Sequence, residues 1–219
     1  MTSKKVVIII VGLLLCLTVL GGVAAILVYN GIVLLNNPSR EQYPVRGVDV
    51  SHYQGDIDWS VLSNEGIDFA FIKATEGSTY IDEKCEYNLT NALKQDIFVG
   101  AYHFFSFESS GKTQAENFIA NVPTVDGMLP PVIDLEFYGK FCDDPMNPRA
   151  VLPELNVLLA ELEEYYGKKP IIYVTEGSYE LYLQGGYEEY DIWIRDVIFE
   201  PKLSDGREWT FWQYTNRER

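Results

Sequence analysis

Two carboxylates lie close together in a short apolar run, Pro131–Glu136, and their spacing suits acid–base chemistry. Side chains alternate along a β-strand, so Asp134 and Glu136 are predicted to point to the same face, about 7 Å apart along the backbone. Two ionised carboxylates at that spacing repel each other, so one pKa should rise and leave a neutral acid beside an ionised base. Hydrolysis of a glycosidic bond uses such a pair, one to protonate the leaving oxygen and the other to stabilise or attack the sugar cation. A solvated loop or a metal site is the alternative explanation.

A third acid, Asp49, lies in the middle of another short apolar run, Gly47–Ser51. Burying a carboxylate alone is costly, so Asp49 is predicted either to line a functional cleft or to pair with Arg46 or Lys73. The ends of other apolar runs carry aromatic and hydrogen-bonding side chains that could hold a sugar ring. The candidate substrate-binding residues are Tyr53, Glu76, Tyr102, Tyr173, Trp193 and Trp212.

Seven short apolar runs alternate with helix-like segments, which predicts parallel strands joined by right-handed crossovers. The predicted strands are Gly47–Ser51, Phe69–Ala74, Phe98–Phe104, Pro131–Glu136, Ile171–Thr175, Ile192–Arg195 and Thr210–Tyr214. The predicted helices are Asp58–Glu65, Ile81–Gln95, Gly111–Asn121, Pro148–Tyr166 and the weaker segment Tyr179–Leu183. We therefore predict an α/β fold, a β/α barrel of the TIM-barrel kind, with its active site at the carboxyl ends of the strands.

The composition narrows the classes of partner and cofactor. A net charge of -15 argues against a nucleic-acid partner, which needs a basic face. His52 and His103 are the only histidines, and they form no His/Cys cluster with metal-ligand spacing, so we predict no metal and no cofactor. The sequence also lacks a Gly-x-Ser-x-Gly nucleophile motif and a phosphate-binding glycine loop. After these classes of site are excluded, catalysis by two carboxylates remains.

The N-terminal segment is predicted to enter a membrane. Residues 6–28 contain no charged residue and would form a helix of about 35 Å, long enough to span a bilayer. Lys4 and Lys5 precede them, so the positive-inside rule places residues 1–5 in the cytoplasm and the rest of the chain outside. We predict an uncleaved anchor over residues 6–28, an extracellular tether over 29–44 and a folded domain over 45–219. A cleaved signal peptide is the alternative.

Two cysteines, Cys85 and Cys142, lie in the part of the chain predicted to be extracellular. Outside the cell they could form a disulfide, and they could equally remain separate thiols. The domain is predicted to be a monomer.

Five motifs in a fixed order resemble those of the glycoside hydrolase family 25 lysozymes. They are Gly47-Val-Asp49-Val-Ser51, Phe71-Ile-Lys73-Ala-Thr75-Glu76-Gly77, Gly100-Ala-Tyr102-His103-Phe104, Pro131-Val-Ile-Asp134-Leu-Glu136 and Trp212-Gln213-Tyr214. The resemblance implies a flattened, irregular β/α barrel that cleaves peptidoglycan between N-acetylmuramic acid and N-acetylglucosamine. It also implies that Glu136 is the general acid, that Asp134 stabilises the cationic transition state and that Asp49 lines the same pit. Tyr102 and Trp193 match positions that usually face substrate.

The resemblance has one departure. Family members usually continue past the Trp-Gln-Tyr strand to a last strand that carries another active-site Asp, whereas this sequence ends at Arg219. Either the sequence is a fragment of a longer protein, or the barrel is incomplete and lacks this strand. Besides an active lysozyme, the sequence leaves open a non-catalytic peptidoglycan-binding module, a truncated inactive family member and a structural role at the membrane.

Overall fold

The computed structural model describes residues 3–29, 33 and 36–216, which divide into two units. One unit contains helix α1, Ser3–Tyr29. Within the described residues, Lys4–Val28 of this helix is the one stretch long and apolar enough to cross a membrane. Its side chains from Lys4 to Ile26 are exposed, and a helix that is apolar on all sides is typical of a membrane span. A signal sequence has the same length and composition, so α1 is compatible with both predictions for this segment.

The other unit comprises residues 38–196 and 200–213 and is built on one curled sheet. Along the sheet the strand order is β1-β2-β4-β5-β6-β7-β8, and all these neighbours are parallel. A short strand, β3, pairs antiparallel with β2. The strands are β1 Gly47–Val50, β2 Phe69–Glu76, β3 Tyr80–Ile81, β4 Phe98–Phe104, β5 Val132–Leu135, β6 Ile171–Thr175, β7 Ile192–Arg195 and β8 Phe211–Gln213. The predicted parallel α/β fold is confirmed, with β3 as an additional strand.

Helices and short turns connect the parallel strands. They are α2 Trp59–Leu62, α3 Cys85–Ala92, α4 Gly111–Asn121, α5 Pro148–Tyr166 and α6 Glu176–Ser178, with 3-10 turns at His52–Gln54, Ser63–Glu65 and Gly139–Cys142 and a π-helical turn at Tyr179–Leu183. The predicted helix over Ile81–Gln95 is shorter than expected, because Ile81 pairs with Thr75 in the β3 ladder. The helix predicted over Asp58–Glu65 is a single α-turn followed by a 3-10 turn.

The longest connecting helix, α5, has the bounds that its end signals predict. Asn147 caps its first turn by accepting a hydrogen bond from the Arg149 N–H, and Pro148 occupies the first helical position. Gly167 ends the helix in the left-handed conformation with φ 65°, which glycine adopts without strain.

The concave face of the sheet is filled mainly by aromatic and branched side chains. These are Phe69, Phe71, Tyr102, Leu129, Val132, Ile171, Tyr173, Trp193 and Phe211. The ring of Phe71 lies 4.9 Å from Trp193 and 5.6 Å from Phe211, so β2 contacts β7 and β8 across the curl. A Cβ at Gly100 would lie 2.5 Å from the Phe71 ring, so this close approach requires a glycine. The remaining apolar core packs the other face of the sheet against the helices.

Strands β1 and β8 are the two ends of the strand order, and no backbone ladder joins them within residues 36–216. A side-chain hydrogen bond links them instead, in which Gln213 Nε2 donates to Asp49 Oδ2 at 2.8 Å. The sheet is therefore a curled half-barrel whose edge strands are connected through side chains.

Cys85 and Cys142 are separate thiols. Cys85 is buried on α3, where desolvation is the main cause that raises its pKa to about 12. Cys142 is exposed at the end of a 3-10 turn. The structure therefore has no disulfide between Cys85 and Cys142. Separate thiols are one of the two alternatives that the sequence left open.

Gly111 allows α4 to approach α5 closely, and it provides a test of this packing. A Cβ at Gly111 would lie 1.9 Å from the backbone oxygen of Glu154, whose Oε2 accepts a hydrogen bond from the Gly111 N–H at 2.7 Å. Alanine normally stabilises a helix by about 1 kcal/mol relative to glycine. Here we expect Gly111→Ala to lower the free energy of unfolding by about 2 kcal/mol, because the backbone of α5 must shift.

The measurement is guanidinium-induced unfolding of the full chain in detergent, followed by tryptophan fluorescence. Gly186→Ala is the matched control, because the nearest atom to its added Cβ is 3.9 Å away. Equal unfolding midpoints for the two variants would contradict the close packing of α4 on α5.

Candidate active site

Strand β5 places two carboxyl groups on the concave face of the sheet. Ile133 and Leu135 pack in the core on the opposite face, so alternation directs Asp134 and Glu136 inward. Asp134 is 8% exposed and is the register partner of Tyr173 on β6. Glu136 follows the last residue of the strand and is half-buried. The pair thus lies at the carboxyl end of a central strand, with Asp134 deeper than Glu136.

Both carboxyl groups of this pair have a raised pKa. For Asp134 the main cause is burial; the neighbouring Glu136 adds to it and Lys73 opposes it. Burial also dominates the raised pKa of Glu136, which Arg195 opposes and Asp49 increases. The two groups titrate as a pair, which retains a proton to higher pH than an exposed carboxyl would. The pair can therefore supply an acid and a carboxylate at the same time.

One oxygen of Asp134, Oδ1, is buried and has no hydrogen-bond partner in the part of the chain that the structure describes. A buried acceptor without a partner costs about 1–3 kcal/mol, so such atoms are rare and call for an explanation. A ligand that carries an N–H or O–H group could satisfy this oxygen.

A chain of hydrogen bonds connects Asp49 to two other strands. Tyr173 Oη on β6 donates to Gln213 Oε1 on β8 at 2.9 Å, and Gln213 Nε2 donates to Asp49 Oδ2 on β1 at 2.8 Å. Asp49 in turn contributes to the raised pKa of both Asp134 and Glu136, so its carboxylate lies near the pair. Asp49 is thus part of the same site and is held by an amide from the far edge of the sheet.

An irregularity in β2 determines which of its side chains reach the site. The register with β4 shifts between Lys73 and Thr75, so Ala74 is an extra residue. Lys73 and Glu76 therefore share a face although they are three residues apart, and Lys73 Nζ lies 2.8 Å from Glu76 Oε2. Lys73 is 8% exposed and lies 5.0 Å from the ring centre of Phe104. A buried cation thus flanks the carboxyl pair.

The same irregularity directs Thr75 to the convex face, where it bonds to His103. The Gln114 Oε1 atom accepts the Ser106 N–H at 2.7 Å, and it lies 3.1 Å from His103 Nε2, which must therefore carry the proton. His103 Nδ1 then accepts the Thr75 hydroxyl at 2.7 Å. Burial lowers the pKa of His103 to about 4, so this histidine is neutral and structural.

The aromatic candidates occupy two levels of the site. Tyr102 and Trp193 belong to the concave cluster, and the Trp193 ring lies 4.9 Å from Phe71 and 5.0 Å from Tyr173. Tyr53 stands at the rim with 82% exposure, its ring 4.0 Å from that of His52. Tyr102 and Trp193 form the floor of a cleft, and the exposed ring of Tyr53 lies beside it.

Trp212 does not join this group. Phe211 and Gln213 face the concave side, so alternation directs Trp212 to the other face of β8. Its indole N–H donates to the Asp196 carbonyl oxygen at 2.8 Å, and its ring contacts Trp209 and Tyr43. Tyr43, from the predicted tether, thus packs onto the folded unit. The strand period assigns the inward position to Gln213, and a contact between Trp212 and substrate stays a prediction.

Three polar residues of the site were not among the predicted site residues. The sequence indicates Lys73 only as a possible pairing partner of Asp49. It indicates Arg195 only as the last residue of a predicted strand, and Gln213 only as part of a motif. Strand alternation could have identified Arg195, which is two residues after Trp193, and Gln213, which is two residues after Phe211. In the described ranges, no group of three or more His, Cys, Asp or Glu side chains is arranged to hold a metal ion. That the site works without a metal stays a prediction.

The chain is similar to known glycosidases in both sequence and structure. The profile of glycosyl hydrolases family 25 matches residues 48–219. A family 25 glycosyl hydrolase from Bacillus anthracis is 54% identical, with a TM-score of 0.81 over 83% of each chain. A bacterial lysozyme from Streptomyces coelicolor is 33% identical, with a TM-score of 0.71 over 80% of this chain and 85% of that one.

The curated relatives are longer than the matched region. Lysozyme M1 of Streptomyces globisporus is 34% identical over 182 residues, which are 78% of this chain and 62% of that protein. The chain spans 62% to 64% of the length of the first curated relatives that it matches. The profile match, the shared fold and the inward-facing Asp134 and Glu136 together establish that the chain belongs to glycosyl hydrolase family 25.

Proposed function

We propose that this chain is a lysozyme-type muramidase. It hydrolyses the β-1,4 bond between N-acetylmuramic acid and N-acetylglucosamine in peptidoglycan, for remodelling or breakdown of the cell wall. The observation that carries the proposal is the Asp134–Glu136 pair, which is buried on the concave face with Asp49 nearby and a raised pKa on both carboxyl groups. The lysozymes among its relatives support the substrate class.

Glu136 is the general acid in this mechanism. It lies past the end of β5 and is more exposed than Asp134, so it can reach a glycosidic oxygen in the cleft. The carboxyl pair retains a proton, which in this mechanism is on Glu136, and Arg195 then stabilises the carboxylate that forms when the proton is transferred. As the bond from C1 to the leaving oxygen breaks, the leaving sugar gains the proton from Glu136.

Asp134 and Asp49 act on the sugar that becomes cationic. Their negative charge stabilises the positive charge at C1, and the unpartnered Oδ1 of Asp134 accepts the N–H of the acetamido group and orients it. A water molecule then adds to C1 and returns one proton to Glu136, so that the enzyme is regenerated.

The aromatic residues hold the sugar chain. In this proposal Tyr102, Tyr173 and Trp193 contact the reacting sugar, and Tyr53 and Glu76 contact the neighbouring sugars. The position of Trp212 on the opposite face gives no support for a contact with substrate.

Glu136→Gln tests the general acid, because glutamine keeps the shape of the side chain but cannot donate a proton to the leaving oxygen. We expect the release of new muramic acid reducing ends from purified peptidoglycan to fall by roughly 10²–10⁴-fold. Sedimentation with cell walls should be unchanged. The measurement is mass spectrometry of the released fragments, with Glu180→Gln on the exposed surface as the control.

Unchanged turnover in Glu136→Gln would refute the role of Glu136. Wall binding without released fragments by the wild-type chain would favour the non-catalytic binding module. A crystal structure of Glu136→Gln with a glycan fragment would show directly which of the aromatic residues contact the sugars.

Arg195 provides a test based on pH. Because its charge lowers the pKa of Glu136, Arg195→Met should raise that pKa further, and the acid should stay protonated to higher pH. We expect the basic limb of the kcat/KM profile to move to higher pH by about one unit. Lys112→Met, an exposed substitution on α4, is the control. A basic limb that stays in place or moves to lower pH would contradict the electrostatic effect of Arg195 on Glu136.

We further propose that α1 anchors the chain in the cell membrane as a single span, with residues 1–5 in the cytoplasm and a monomeric glycosidase domain outside. The length and apolar surface of α1 and the two lysines before residue 6 support this arrangement. The acidic composition gives no support for a nucleic-acid partner.

Fractionation of cells that express the chain tests the anchor. We expect the full chain in the membrane fraction after an alkaline carbonate wash and a chain without residues 2–28 in the soluble fraction. Protease added to intact protoplasts should digest the domain. A mature protein in the medium whose N-terminus lies near residue 25 would identify a cleaved signal peptide instead.

A further inference from the structure

The amide of Gln213 is held at both ends. Its Oε1 accepts the hydroxyl of Tyr173 at 2.9 Å, and its Nε2 donates to Asp49 Oδ2 at 2.8 Å. Gln213 and Asp49 lie on β8 and β1, the two ends of the strand order, and within residues 36–216 no backbone ladder fixes their separation. This side-chain contact joins the two edge strands at the site, in addition to the ring contacts of Phe69 and Phe71 with Phe211.

We propose that Gln213 is a positioning residue that acts on the reaction through Asp49. It holds the Asp49 carboxylate in one place, facing Glu136 across the cleft. The inference rests on the proposed muramidase function. It assigns a role to Gln213, which contacts Asp49 and not the sugar.

The Tyr173 hydroxyl determines which end of the amide faces Asp49. Burial raises the pKa of Tyr173 well above its usual value, so the hydroxyl remains protonated and acts as a donor. Turning the amide would lose this bond and would place Oε1 against the Asp49 carboxylate, where two acceptors repel. The N–H end thus stays directed at Asp49, and a donor to a carboxylate favours its ionised form.

The position of Asp49 matters because its charge raises the pKa of Glu136. If the amide is lost, Asp49 loses the donor that fixes its carboxylate opposite Glu136, so less negative charge faces Glu136. The pKa of Glu136 then falls, and the acid loses its proton at lower pH. The other charged and titratable groups around Asp49 and Glu136 are Lys73, Glu76, Asp82, Tyr102, Asp134, Tyr173 and Arg195.

Gln213→Leu removes the donor while it keeps an apolar stem of similar length. We expect kcat/KM to fall roughly 10-fold, the size of a lost hydrogen bond to a charged group, and the basic limb of its pH profile to move to lower pH. Asp49→Asn should move the basic limb in the same direction. In the Asp49→Asn background, Gln213→Leu should add no further shift, because its effect passes through the Asp49 charge.

Tyr173→Phe is the second variant, because it keeps the ring in the concave cluster and removes only the hydroxyl. We expect it to shift the basic limb in the same direction by a smaller amount, since the amide loses its orienting bond. Gln184→Leu, an exposed glutamine after the π-helical turn, controls for the substitution itself. Circular dichroism of each full-chain variant in detergent identifies any that fails to fold, and Tyr173→Phe then decides the question.

A wild-type pH profile in Gln213→Leu, or in Tyr173→Phe where Gln213→Leu does not fold, would overturn the proposal. A full further shift in the Asp49→Asn background would overturn it as well, because the amide would then act by another route. Failure of the proposed function has a different signature, since the wild-type chain itself would release no fragments.

Discussion

Desolvation of carboxyl groups is the constraint that the rest of this structure has to meet. Asp134 lies where water is largely excluded, Glu136 follows it on the same face, and Asp49 brings a third carboxyl from the edge of the sheet. Each of these groups makes ionisation of the others less favourable. Lys73 on β2 and Arg195 on β7 offset part of this cost, and retention of a proton offsets another part. A site with these properties is unstable by itself and needs a rigid surrounding, which the strands provide.

The rigid surrounding is the aromatic interior of the curl. Phe71, Trp193 and Phe211 contact one another across the sheet, so the two arms of the half-barrel are held apart by side chains of fixed size. These rings also exclude water from the floor of the cleft, and this exclusion is the origin of the raised pKa of the carboxyl pair above them. The packing that stabilises the fold and the chemistry of the site therefore depend on the same residues.

Much of this arrangement follows from local sequence patterns. The alternation of apolar runs with helical segments predicts the parallel sheet, and the period of two places Asp134 and Glu136 on one face. The same period, applied to β8, would have selected Gln213 over Trp212. The short strand β3, which pairs with the end of β2 and shortens α3, was not predicted. The hydrogen bond from Gln213 to Asp49 could not be predicted from local patterns, because its partners are 164 residues apart in the chain.

The extra residue in β2 changes which sequence positions of the strand face inward. Before Ala74 the inward side chains are at odd positions and end with Lys73, and after it they are at even positions and begin with Glu76. Because Ala74 is the residue without a partner on β4, a deletion there would leave the pairs of Lys73, Thr75 and Glu76 with β4 unchanged, and Glu76 would still face the cleft. The segment between the lysine and the glutamate can therefore differ in length by this one residue while both side chains keep their place beside the carboxyl pair.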